Sequence, residues 1–333
     1  MKGTRFLFAA AASDISKNFV SIDVSMWAWV GLAFAIFALL GVDLFRHRDA
    51  HEPTQKEALV ESAVWVACGL AFSGVVAYAW GFDAFGEYLS GYLIEKSLSI
   101  DNVFVWSLLL TTLAIPLKYQ HRVLFWGIFG ALAMRGIFIA VGSSLIARFA
   151  FILVGFGVFL IYTGFKVIKH RDDEGQSATR ILEYVRRIVP ISPQLDGQRF
   201  LTRINGKRIA TPLLAALVVV EITDVIFAVD SVPAILAVSH EPFLVFSSNA
   251  FAILGLRALY FVLAGARQRF HYLSHGLGAV LIFVGFKMAI SLWYHVNTFV
   301  SLGLIMAILG AAIVFSERRT RREELESGRL GGH

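Results

Sequence analysis

Apolar residues run along this chain in long blocks rather than alternating with polar ones. Nine windows are apolar enough, for long enough, to span a bilayer: residues 25–43, 59–80, 91–114, 122–146, 149–168, 212–237, 244–266, 274–294 and 298–316. A span needs about 20 mostly apolar residues. Inside hydrocarbon such a segment must be helical, because only then does each backbone amide and carbonyl find a partner within it. The pattern predicts an all-α polytopic membrane protein with nine transmembrane helices.

Composition agrees. Of 333 residues, 57% are hydrophobic and 16% charged, against about 45–50% and about 25% in soluble domains. The net charge of +6 is no nucleic-acid signal. Its basic residues gather in 176–208 and 317–322, between or after apolar blocks, as a bilayer partner with a positive cytoplasmic side requires. The single cysteine, Cys68, excludes an intrachain disulfide and any thiolate metal cluster and suits packing in its apolar stretch. The start, MKGTRFLFAAAAS, resembles a signal peptide with a short apolar core; it reads as a tail before the first span.

The loops set an orientation. Segment 169–211 is rich in Lys and Arg, as are the connections after spans one and seven, the PLKYQHR stretch before span four and the tail SERRTRRE. GFDAFGEYLS, SHEPF and YHVNT hold no Lys or Arg; only Arg148 breaks the alternation. The positive-inside rule then predicts an extracytoplasmic tail (1–24), two leading helices (25–80), a cytoplasmic basic linker (169–211) and a cytoplasmic C-terminal tail (317–333). Within the linker, LEYVRRIVP suggests a short amphipathic surface helix and SPQLDGQRFLTRINGKR a small hairpin.

Three anchors repeat. SLSIDNVFVW matches VEITDVIFAV, pairing Asp101 with Asp224; ALAMRGIFIAV matches ILGLRALYFVL, pairing Arg135 with Arg257; GFGVFLIYTGFKVI matches GLGAVLIFVGFKMA, pairing Lys166 with Lys287. The offsets of 123, 122 and 121 residues keep order and spacing. Residues 91–168 and 212–294 therefore read as two three-helix repeats, before a final helix at 298–316. An odd number of spans and a linker on one side make the repeats inverted, an arrangement typical of secondary transporters with a midplane site. No enzyme signature occurs, and no organic cofactor is expected.

Counted over the polar spans, the charges are Glu95, Asp101, Glu221, Asp224 and Asp230 against Lys96, Arg135 and Arg257. Each costs roughly 2.5–3.5 kcal/mol at the centre of a spanning helix, so they should face one another or a wet cavity. Five against three leaves two negative charges, which one divalent cation or protonation would balance. Glu95 and Asn102 share a helical face, as do Glu221 and Asp224. Asp230 lies half a turn out of phase with Glu221, so a broken or kinked helix near 229–233, at Pro233, is expected to re-aim it. Carboxylates, the Asn102 amide and the hydroxyls of Ser97, Ser99, Thr223 and Ser231 are hard donors that suit Mn²⁺, Ca²⁺ or Mg²⁺. Arg135 and Arg257 either hold the repeats together or act as a gate that the metal displaces. Lys96 is a candidate tethered counter-ion. Lys166 and Lys287 are expected to snorkel, and His275 and His295 to sit at the interface.

The motifs GYLIEKSLSIDNVFVW, ATPLLAALVVVEITDVIFAVDSVPAILAV and SSNAFAILGLRALYFVLAG resemble the TerC family of integral membrane proteins, with its Alx-like branch, in the larger LysE-like exporter group. The resemblance covers roughly residues 25–316. It implies metal-ion efflux, with manganese as the ion, and assigns Glu95, Asp101, Asn102, Glu221, Asp224 and Asp230 to the metal. The family is named for tellurium resistance, but tellurite is an oxyanion that a net-negative pocket repels, so such a phenotype would be indirect. Two functions follow: a secondary exporter of Mn²⁺ exchanging it for protons, or a membrane scaffold or stress-response protein with a structural ion and protein partners at the linker.

Overall fold

The computed structural model describes residues 20–46, 54–113, 115–149, 151–169, 181–185, 187, 190–192, 195–204, 207–264, 272–291, 293–294 and 296–330. The side chains of Asp101 and Phe104 are outside that set, as are His295 and the N-terminal stretch that resembles a signal peptide. The described chain is helical apart from one hairpin. Its helices are α1 (Met26–Arg46), α2 (Gln55–Trp80), α3 (Phe82–Thr112), α4 (Leu117–Arg148), α5 (Ile152–Lys169), α6 (Pro212–Leu236), α7 (Pro242–Leu254), α8 (Leu256–Ala264), α9 (Leu273–Ile290) and α10 (Thr298–Leu330).

This is an all-α polytopic membrane fold. Among the described residues, six helices (α1, α2, α4, α5, α6 and α10) can each cross a bilayer by length and apolarity, and α7 with α8, bent by 41°, makes a seventh when the pair is taken as one span. α3 has the length, but Asp83, Glu87, Glu95, Lys96 and Asp101 interrupt it. α9 offers a shorter apolar stretch, His275–Ile290.

Several boundaries differ from the sequence expectation. GFDAFGEYLS is helical rather than a loop, because the chain turns at the single residue Gly81. Its φ of +91° is a conformation open to glycine at no steric cost. α10 likewise runs on through the basic tail. In the linker, residues 181–185 are helical and bury Leu182 and Val185 in the core. Strands β1 (Leu201–Ile204) and β2 (Lys207–Ala210) pair antiparallel, Leu201 with Ala210 and Ile204 with Lys207. Thr211 anchors the hairpin to α6, its hydroxyl donating to the Arg199 carbonyl at 2.8 Å.

The expected break at Pro233 does not occur: α6 is continuous from Pro212 to Leu236. A proline so near the helix end costs only the bond to the residue 229 carbonyl, and the next turn closes normally with Ala237 N–H on the Pro233 carbonyl at 3.0 Å. The interruption falls instead at Gly255, between α7 and α8. There Lys96 of α3 donates from Nζ to the Ala252 carbonyl at 3.1 Å. A side chain at Gly255 would strike Trp65.

The closest helix contact is between α5 and α9. A Cβ at Gly157 would lie 2.6 Å from the Gly285 carbonyl oxygen, and one at Gly164 would lie 2.7 Å from that of Gly278. Such backbone-to-backbone approach is how small residues drive helix association in lipid. Around this pair, α3 packs on α6 and α7, and α4 packs on α6. Extended residues 20–25 cross one end of the bundle. Val20 N–H donates to Glu87 at 2.9 Å, Ile22 N–H to Glu241 at 3.3 Å, and Trp80 Nε1–H to the Asp23 carbonyl at 3.3 Å.

Candidate ion site in the interior

Three helices bring their charges together at one buried point. Arg135 projects from α4 between Glu95 of α3 and Asp224 of α6, and all three are at most 1% exposed. Its Nη2 donates to Asp224 Oδ1 at 3.1 Å and its Nε to Oδ2 at 3.4 Å, a fork-like bidentate pair. Its Nη1 donates to Glu95 Oε1 and, at 3.0 Å, to the Ser231 hydroxyl. Ser99 donates to the same Glu95 oxygen at 3.3 Å. One guanidinium thus faces two carboxyl groups. A buried network of this kind is strongly coupled: removing one partner leaves an uncompensated charge in a dry interior.

The network is not saturated. Among the described residues, Glu95 Oε2 has no hydrogen-bond partner, nor do the buried amide nitrogens of Asn102 on α3 and Asn249 on α7. Buried polar atoms are paired in the great majority of cases, so such groups in a membrane protein interior call for a functional explanation.

The other expected site residues lie around this centre in different ways. Glu221 is half-buried, and its carboxylate fills the space where a Cβ at Gly130 would sit. Asp230 is half-buried, joins no hydrogen bond of the cluster and is acted on by the charge of Lys166. With α6 continuous past Pro233, Asp230 keeps its out-of-phase direction while its neighbour Ser231 enters the cluster. Ser97 and Thr223 direct their hydroxyl protons to their own helices, onto the Leu93 and Val220 carbonyls at 2.6 and 2.8 Å. Lys96 is engaged with the α7 carbonyl rather than with a carboxylate. The Asp101 side chain is outside the described residues. Among those described, no group of three His, Cys, Asp or Glu is placed to hold a metal; the geometry is that of a guanidinium held by two acids.

Arg257, matched to Arg135 in the sequence repeat, goes elsewhere. It is 3% exposed, and its Nη2 reaches Asp43 of α1 at 2.6 Å and Glu61 of α2 at 3.7 Å. Arg46 also pairs with Glu61, at 3.3 Å. The count of five acids against three bases therefore left out two acids, as it left out Lys166 and Lys287 on the basic side. Glu61 lies inside the window 59–80 and Asp43 at the edge of 25–43, each a carboxylate in an apolar run and so visible in the sequence. Lys287 also departs from expectation. It is 4% exposed rather than snorkelling, because α9 is packed against α3, α5 and α10. Glu87 of α3, 1% exposed, supplies the opposite charge. Lys166 is exposed, and His275 is exposed near the start of α9.

Comparison with known proteins follows the same residues. The family described as "Integral membrane protein TerC family" matches residues 80–324. An "Uncharacterized membrane protein" of Myxococcus xanthus is 48% identical over 295 residues, covering 88% of this chain and 92% of its own. The "Putative membrane-bound redox modulator Alx" of Escherichia coli (strain K12) is 41% identical over 314 residues, covering 90% and 97%. An "Uncharacterized membrane protein" of Rickettsia bellii is 37% identical over 285 residues, covering 85% and 94%. No solved structure matches. With the family match spanning the buried cluster and the relatives covering nearly the whole chain, this protein belongs to the TerC family of integral membrane proteins.

Proposed function

We propose that this protein is a secondary transporter exporting a divalent cation, Mn²⁺, across a bacterial inner membrane through the cluster around Glu95 and Asp224. The observation that carries the reading is Arg135, a buried cation clamped between acids from two helices that the repeat makes equivalent. Two hard carboxylates that already hold one cation can exchange it for another, and their oxygens suit Mn²⁺, with Ca²⁺ and Mg²⁺ as competitors. Arg135 acts as the resident counter-ion that the metal displaces. Asp101, Asn102 and Glu221 complete the coordination when it withdraws, and protons return on the same acids; Asp230, beside Lys166, joins them only if α6 kinks near Pro233. In this scheme the chain is a carrier, not an enzyme.

The nine-span architecture with inverted repeats belongs to this proposal. Counting α3 and α9 as spans beside the six helices and the bent pair gives nine, with the N-terminus outside and the C-terminus in the cytoplasm. The contact pattern supports the inversion. Under the 121-residue offset, Gly157 maps onto Gly278 and Gly164 onto Gly285. The two close contacts, Gly157 with Gly285 and Gly164 with Gly278, then exchange with one another, as a two-fold axis requires. In the same way, α3 packs on α7 as α6 packs on α4.

The E. coli relative is named as a redox modulator. A redox role here would act through the transported metal or a partner, since Cys68 alone offers no internal dithiol. Mn²⁺ uptake into inside-out vesicles tests the proposal. Glu95→Gln and Asp224→Asn are each expected to lower flux more than tenfold, while neutralising the exposed linker residues Arg187, Arg199 and Arg203 to Gln leaves it within about twofold. Undiminished flux in both acid variants, with function lost on neutralising the linker, would favour the scaffold.

A further inference from the structure

α10 outlasts a bilayer. Its 33 residues rise about 50 Å, against roughly 30 Å of hydrocarbon. Counted from Thr298, about 20 residues complete the crossing, which puts Arg318 where the helix leaves it. One face of α10 carries Ile308, Ala312, Phe315, Arg319 and Arg322 at helical spacing. With Arg318, and with Tyr272, His275 and Gly276 of α9, they line a groove of ≈ 720 Å³ between the two helices.

The groove changes character along its length. Its inner part is apolar, and Phe315 is 57% exposed there. Its outer part holds three guanidinium groups. Arg319 is steadied by Tyr272: Nη1 lies 3.4 Å from the phenol oxygen, and the guanidinium carbon 5.7 Å from the ring centroid. No acid is among the described lining residues. The nearby Glu317 is engaged by Arg321, Nη2 to Oε1 at 2.5 Å, and neither residue lines the groove. The first turn of α9 opens here as well, and its cap residue Tyr272 supplies no side-chain cap.

We propose that this groove binds an anionic phospholipid of the leaflet at this end of the protein. The phosphate sits among Arg318, Arg319 and Arg322, with an acyl chain along Ile308, Ala312 and Phe315. Arginine forks match phosphate oxygens bidentately. Basic pockets at the cytoplasmic ends of membrane helices take lipid head groups in this way, and the volume lies in the range of small-molecule sites. The apolar half decides between sources. A free phosphate would leave Phe315 and its neighbours uncovered, whereas a lipid covers both halves at once.

Native mass spectrometry of the full chain, titrated with phosphatidylglycerol or phosphatidylcholine, tests this. One phosphatidylglycerol per chain should be retained, at least tenfold more tightly than phosphatidylcholine. Arg322→Ala should weaken it about fivefold, near the effect of one basic residue at a charged membrane surface. Arg321→Ala, which removes the same charge outside the groove, should weaken it less than twofold. Both arginines are exposed, so neither change disturbs the core. Equal losses in the two variants would reduce the effect to general electrostatics and overturn the site. Equal retention of the two lipids would overturn it as well. Displacement of the lipid by millimolar inorganic phosphate would make it a free-phosphate site instead.

Discussion

Arg135 and Arg257 occupy matching positions in the sequence repeat, yet the fold uses them differently. Arg135 joins α4 to acids on α3 and α6, the first helices of the two three-helix stretches. Arg257 joins α8 to Asp43 and Glu61 on the two leading helices, outside both stretches. The Arg135 cluster is sealed, at most 1% exposed. Around Arg257, Arg46 offers a second cation to Glu61, and its own side chain is 62% exposed. The two arginines match in the sequence, and the acids packed around each give them different surroundings. One sits where α3, α4 and α6 meet. The other ties α8 to the two leading helices.

Neutralising the two arginines should therefore have unequal effects. Arg135→Met leaves Glu95 and Asp224 facing each other without a cation and should destabilise the protein in detergent by about 3–5 kcal/mol. Arg257→Met leaves Glu61 with Arg46 and should cost about 1–3 kcal/mol. Thermal unfolding of both reads the difference, and equal losses would erase it. Where the halves behave alike, equivalent changes should match. Gly157→Ala and Gly278→Ala each force a Cβ onto a backbone carbonyl 2.6–2.7 Å away, and each should cost about 1–3 kcal/mol. Gly155→Ala meets nothing within 4 Å and should stay within about 0.5 kcal/mol. A large asymmetry between Gly157 and Gly278 would argue against the two-fold relation. Lys96→Met leaves the Ala252 carbonyl at the α7–α8 bend without its cross-helix donor and should cost about 1–2 kcal/mol.

The smallest effect concerns the end of the bundle crossed by residues 20–25. Burial raises the Glu241 carboxyl above the usual carboxylate range, while the Ile22 amide pulls it back. A carboxyl raised on folding favours the protonated form. Its contribution is full below the unfolded value and is lost as pH rises through the folded value. Glu241→Gln should therefore flatten the fall in stability across that window and leave both arginine clusters unchanged. An unaltered pH profile would remove Glu241 from the account.

The sequence was informative where the physics is local. Long apolar blocks specify helices because hydrocarbon allows little else, and Glu95, Arg135 and Asp224 stand out as charges in such blocks. What it could not supply were pairings between distant segments. Asp43 meets Arg257 across 214 residues, and no local pattern links them. The bend illustrates the same limit. Pro233 is the visible breaker, but so close to the helix end it removes little. Gly255 looks innocuous, and the lysine amine that reaches the bend comes from α3, far away in the sequence. Asp230 stays out of the cluster for a related reason: its direction follows from a continuous helix, and continuity was not evident from the residues alone.

Direct Mn²⁺ binding measures the central claim most closely. Electron paramagnetic resonance of the purified protein should detect one immobilised Mn²⁺ per chain. Asp224→Asn should lose that ion, and Asp43→Asn, beside the other arginine, should keep it. Equal Mn²⁺ stoichiometry in the wild type and Asp224→Asn would contradict the assignment of the ion to the Arg135 cluster.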